Sequence, residues 1–237
     1  MKNKQISLII YLIAQLIIYS FTICFNNIFN ENIMFIISSV LSFSLGIYLF
    51  CKTKDYYIMI TSIGINVLIS IFNLYLINFK YIVYFLLNLV QILYFLRIYI
   101  NSENKKKDLI IRLIELVLGL VFSFILLRNK TNYISILFTL YISNLFFNIL
   151  YTTKDIGFNN FFPIGLFILF ISAIFSLFIG VEDYITVNIP FINIINDFPF
   201  SLVLMFEMPA NVVLACSVFT VNRRMFSKIN NEEEEEG

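Results

Sequence analysis

The sequence predicts an all-α fold: a polytopic integral membrane bundle of eight transmembrane helices with both termini on the cytoplasmic side. Three observations predict it. The first is composition. Of 237 residues, 60% are hydrophobic and 13% are charged, and the mean hydropathy is +0.89; a soluble domain has about 25% charged residues and roughly 45–50% apolar ones. The second is the length of the apolar runs, which lack the period-two alternation of a barrel strand. A membrane span needs about 20 apolar residues in a helix, because backbone groups in lipid must be satisfied internally. The third is charge placement. With the N-terminus inside and eight spans, only Lys80, Arg128 and Lys130 of the 16 Lys and Arg residues face outward, as the positive-inside rule demands. Seven or nine spans would spoil that split.

The spans follow in order. Ile6–Cys24 begins behind Lys2 and Lys4. It exceeds the roughly 7–15 apolar residues of a signal peptide and no small-residue cleavage site follows, so it is expected to stay as an anchor. Ile33–Phe50 is closed on the inside by Lys52 and Lys54, and Tyr56–Ile77 ends before Lys80 outside. Tyr81–Ile100 carries Arg97 near its inner end, where a long basic side chain can snorkel to the interface. Leu109–Leu127 starts behind Lys105, Lys106 and Lys107, and its Arg112 and Glu115 are three residues apart, a self-neutralising pair on one helix face. Tyr133–Tyr151 and Phe161–Gly180 follow. The long connection 181–200 faces outward, carries Glu182, Asp183 and Asp197, and is punctuated by Pro190 and Pro199. Ser201–Val221 is the eighth span, backed by Arg223, Arg224 and Lys228. The organisation is one transmembrane domain over 1–229 and an acidic, disordered tail over 230–237, whose Glu232–Glu236 run repels itself.

Composition also limits the chemistry. There is no His, which removes histidine general acid/base catalysis, serine or cysteine triads built on His, and imidazole metal sites. Cys24, Cys51 and Cys216 form no CxxC pair and read as small buried hydrophobes. No metal and no cofactor are expected. The net charge of +1 offers nothing to nucleic acid, so the expected partner is membrane lipid. Phosphate-binding glycine loops and HExxH are absent.

Polar groups inside spans are costly and therefore informative. Glu207 stands in the eighth span with no basic residue within two turns. Pro209 follows it and removes a helical hydrogen bond, and Asn211 lies on the same face at i+4. Elsewhere the amides fall at helical spacing: Asn88 and Gln91 with Tyr84 and Tyr94 beside them, Tyr141, Asn144 and Asn148, and Asn66 with Asn73. Such faces are either glue between helices or the lining of an internal cavity that holds a lipid head group.

Four stretches carry a family resemblance. Thr61-Ser62-Ile63-Gly64-Ile65-Asn66-Val67-Leu68, Asn88-Leu89-Val90-Gln91-Ile92-Leu93-Tyr94, Gly165 to Ala173, and Phe206-Glu207-Met208-Pro209-Ala210-Asn211 resemble the third, fourth, seventh and eighth spans of the YhhN family of lysoplasmalogenase-like membrane proteins. The resemblance implies eight spans in a bacterial cell membrane and hydrolysis of the vinyl-ether bond of lysophospholipids by an intramembrane Asp pair. At the two acid positions this chain has Asn66 and Ala173, and neither can donate a proton as that reaction requires. Glu207 is then the candidate catalytic acid, with Asn66, Asn88, Gln91, Tyr94, Asn144 and Asn211 as candidate substrate-binding residues. The alternative is a protein without enzymatic activity that binds or transports a lipid or small solute, or a subunit of a membrane complex.

Overall fold

The computed structural model describes residues 2–25, 30–49, 54–75, 80–101, 104–126, 133–154, 161–181 and 203–217. These residues form helices and contain no strand: α1 (Lys2–Cys24), α2 (Glu31–Tyr48), α3 (Lys54–Tyr75), α4 (Lys80–Asn101), α5 (Lys105–Leu126), α6 (Tyr133–Lys154), α7 (Phe161–Val181) and α8 (Val203–Ser217). Each of the eight expected spans therefore coincides with a helix. Three of them, over Ile6–Cys24, Tyr56–Asn73 and Lys80–Ile100, are long and apolar enough to cross a membrane. The apolar stretches Asn32–Tyr48, Ile136–Thr152, Phe161–Ser176 and Val203–Ser217 are shorter, and α5 opens with Lys105, Lys106, Lys107 and Asp108. The acidic connection, Cys51 and the glutamate tail lie outside the described residues.

The helices pack in a chain of neighbours: α1 on α2, α2 on α3, α3 on α4, α4 on α6 and α6 on α7, with α5 laid mainly against α6. α8 sits among them. It touches α1 through Tyr19, α3 through Asn66, α4 through Arg97 and α7 through Ser172. α7 and α8 approach closely because Gly165 has no side chain: a Cβ there would lie 2.7 Å from Leu214 Cγ and 3.1 Å from its backbone nitrogen. α2 starts where the Asn30 side chain accepts the Asn32 N–H at 2.9 Å, an N-cap that satisfies one orphan donor.

The exterior carries many large apolar side chains, and polar side chains are buried among an apolar core. α1 exposes Ile6, Ile9, Ile10, Ile13, Leu16 and Ile17, and α5 exposes Leu109, Ile110, Leu113, Ile114, Val117 and Leu118. Gln15, Ser38, Ser42, Gln91, Asn144 and Asn148 are buried. An apolar exterior of this kind is compatible with membrane insertion, where interior polar residues join helices. Tyr94, Leu145, Phe162, Leu166 and Leu214 form the middle of the core.

Candidate functional site

The candidate residues fall into three groups rather than one ring. The first joins α3, α4 and α8. Asn66 Nδ2 donates to Asn211 Oδ1 at 3.0 Å, and the Tyr94 hydroxyl lies beside the Asn66 side chain. Tyr94 is fixed by the Phe162 ring, edge-on at 5.7 Å between centroids. Ser39, Ser42, Ile63, Asn66, Tyr94, Asn211 and Leu214 line a small cavity, about the size of a single water molecule. A lipid head group does not fit there unless the helices part.

The second group is a ladder between α4 and α6. Asn144 Nδ2 donates to Asn88 Oδ1 at 3.0 Å, and Asn88 Nδ2 donates to the Leu137 carbonyl at 2.7 Å. One turn along, Asn148 Nδ2 donates to both the Gln91 side-chain and backbone oxygens at 3.0 Å. Asn88, Gln91 and Asn144 are thus committed to a helix seam. Their spacing of three to four residues along both helices produces it, since such positions share a face.

The third group surrounds Glu207, which is partly buried. Its carboxylate lies within electrostatic range of the Tyr84 and Tyr141 hydroxyls, and the Ser176 side chain is close to Tyr84. Beside it Phe206 stacks on Phe175 at 5.3 Å. Among the described residues no basic side chain forms an ion pair with Glu207. Glu207 and Asn211 are one helical turn apart, about 6 Å along the axis, so the first and third groups are adjacent levels of one interior.

Two expectations are corrected. Arg97 does not snorkel to an interface: it is fully buried. Its guanidinium lies 4.3 Å above the Phe162 ring and Nη1 donates to Ser217 Oγ at 2.8 Å. A planar cation can be held inside a bundle in this way because it stacks and bonds in plane at once. Cys24 is exposed, not buried, because it ends the peripheral helix α1. The Arg112–Glu115 pair is present, at 3.5 Å, with Arg112 stacked 4.9 Å from the Phe95 ring centroid.

A polar network between α1 and α2 was not among the candidates. Tyr11 and Ser42 share a hydrogen bond at 2.8 Å; Gln15 donates to Ser42 Oγ at 3.1 Å and to the Ser38 carbonyl at 2.9 Å; Ser38 donates back to Gln15 at 2.6 Å. The signal was available as Tyr11 and Gln15 at i,i+4 in an otherwise apolar helix, facing the serines of α2. Ser42 also lines the one-water cavity, so this network continues the first group outward. Among the described residues no three His, Cys, Asp or Glu side chains converge as metal ligands would. No family model matches the chain, and no curated protein or solved structure is similar to it.

Proposed function

We propose that this is an eight-span membrane protein, termini inside, that hydrolyses the vinyl-ether bond of a single-chain phospholipid as YhhN-type proteins do. The observation that carries the reading is the Asn66–Asn211 hydrogen bond with Tyr94 beside it, which frames a one-water cavity a single turn from Glu207. The reaction consumes one lipid and one water. Glu207 is the only carboxyl of α8. Ser172 Oγ donates to the Val203 carbonyl at 2.9 Å and Phe175 stacks on Phe206, so Glu207 lies within about a turn of these α7 contacts. This supports a reading in which the acid comes from α8 instead of α7.

The chemistry balances with one carboxyl. The Glu207 acid gives its proton to the distal vinyl carbon and leaves an oxocarbenium ion. The water held by Asn66, Tyr94 and Asn211 adds to the cationic carbon, and its proton goes to the Glu207 carboxylate. The hemiacetal then collapses to a fatty aldehyde and the glycerol hydroxyl. General acid catalysis of this kind contributes about 10²–10⁴-fold.

The test is aldehyde release from lysoplasmalogen in vesicles by the purified protein, native against Glu207→Gln. Aldehyde from the native chain and a loss of two or more orders of magnitude in the variant are expected. No aldehyde from the native chain, or full activity in Glu207→Gln, overturns the reading.

A second reading has its own observation. Asn88 with Asn144 and Gln91 with Asn148 bond each other across α4 and α6, as interhelical glue does. On that reading the protein is a binding or scaffolding component of the membrane without catalysis. A lipid analysis separates the two, since a co-purifying ether lysolipid altered by Glu207→Gln is expected only on the first.

A further inference from the structure

We propose that the α4–α6 seam is hydrated: water enters it from the end where α5 begins and reaches inward as far as Gln91. Its use as the supply of water for hydrolysis rests on the reading above, whereas the hydration itself does not.

Four buried polar atoms have no hydrogen-bond partner among the described residues: Gln91 Nε2, Asn148 Oδ1, Tyr151 Oη and Arg112 Nη2. They belong to three adjacent helices and follow one another in consecutive turns. Gln91 and Asn148 are hydrogen-bonded across the seam. One turn further, Tyr151 on α6 meets Phe95 on α4, edge-on at 6.3 Å between centroids. Arg112 on α5 lies over the other side of that pair, 4.9 Å from the Phe95 ring centroid. The set therefore runs from the middle of α4 to the Lys105 end of the bundle.

Buried polar groups in folded proteins are almost all satisfied, and a cluster of orphans marks a place where water sits. The four atoms are chemically suited to a file of water. Gln91 Nε2 and Arg112 Nη2 donate, Asn148 Oδ1 accepts and Tyr151 Oη does either. The Arg112–Glu115 pair is consistent with this. At 3.5 Å between Nη1 and Oε2 it is longer than the roughly 2.7–2.9 Å of a direct charge-assisted contact, and separations of that length commonly have water beside or between the partners. The Lys105 end is also the wet end, since Lys105, Lys106 and Lys107 are exposed there. At the inner end Gln91 is one turn from Tyr94, which lines the one-water cavity.

The test uses the full chain in vesicles, with Cys24, Cys51 and Cys216 replaced by Ala and single cysteines placed at Gln91, Asn148, Tyr151 and Leu118. A charged, membrane-impermeant methanethiosulfonate is added from one side or the other. Thiol reactivity follows access to water, so Gln91→Cys, Asn148→Cys and Tyr151→Cys should react at least about tenfold faster than the lipid-facing Leu118→Cys. They should do so only from the Lys105 side. Failure of Tyr151→Cys to react in correctly inserted protein overturns the proposal. Reaction there without reaction at the deeper pair overturns the claim that water reaches Gln91. Where the deeper variants do not fold, magnetisation transfer from water to the Gln91 and Asn148 side-chain amides in the unsubstituted protein decides the point, and its absence overturns the inward reach. None of these readouts depends on aldehyde release, so the hydrated seam and the hydrolase reading can fail separately.

Discussion

Tyr19 donates its hydroxyl proton to the Met205 carbonyl at 3.2 Å, and Met205 is the residue whose carbonyl Pro209 leaves without a helical partner. A proline has no N–H, so the acceptor four residues earlier is orphaned. The α8 helix nevertheless continues through Pro209 from Val203 to Ser217. The freed carbonyl is satisfied by a side chain from α1.

This pair makes a sharp prediction. Tyr19→Phe leaves the carbonyl unsatisfied and should cost about 1 kcal/mol, within the range for such bonds in membranes. Pro209→Ala restores the helical N–H, so in that background Tyr19→Phe should cost almost nothing. Unfolding of the four proteins of this double-mutant cycle measures the coupling. Equal cost in both backgrounds would show that the hydroxyl does not compensate for the proline.

Gly165 faces Leu214 with no space for a methyl group. Gly165→Ala should destabilise the α7–α8 contact by about 1–3 kcal/mol, the usual cost of overpacking. Adding Leu214→Ala should recover part of it. A neutral Gly165→Ala in a thermal or denaturant melt would contradict the close approach.

The seam between α4 and α6 should behave as paired amides. Asn144→Leu strands Asn88 Oδ1, which it otherwise bonds at 3.0 Å, and should cost about 0.6–2 kcal/mol. Asn88→Leu with Asn144→Leu should be milder than the sum of the single changes, because neither polar group is then left alone, although the Asn88 bond to the Leu137 carbonyl is lost as well.

Arg97 should tolerate Lys poorly. The guanidinium is stacked on Phe162 and bonded to Ser217, and an ammonium cannot do both in one plane. Arg97→Lys should lower stability by about 1–2 kcal/mol, and Phe162→Leu should remove much of the difference between Arg and Lys.

How much of this was legible in the sequence differs by residue. The helices were, because the apolar runs are long and lack the period-two alternation of strands, although only three of them, among the described residues, are long and apolar enough to cross a membrane. The Asn88, Gln91, Asn144 and Asn148 spacing was legible as two faces, and the structure shows those faces meeting. That Asn66 finds Asn211 was not, since 145 positions separate them and one sequence does not rotate helices against each other. Arg97 was misplaced for a physical reason: its position near a helix end favours snorkelling, whereas its contacts with Phe162 and Ser217, from distant segments, favour burial. Tyr11 and Gln15 were visible as polar residues but had no assigned partner until α2 was laid beside α1.

The position of α8 has a consequence for how the chain is assembled. It is the last of the eight described helices in chain order, yet it contacts α1, α3, α4 and α7 near the middle of the bundle. Tyr19 and Met205 are 186 positions apart. Chains are made from the N-terminus onward, so on the eight-span reading proposed above, Tyr19, Asn66 and Arg97 each still lack their α8 partner, Met205, Asn211 and Ser217, when α7 has just been made. On that reading the intermediate keeps these polar side chains uncovered until α8 packs against them. Such an intermediate is a natural client for whatever shields unpaired polar side chains during insertion. Substitutions in α8 should therefore be felt first as poor accumulation in the membrane, before any folded protein can report on them.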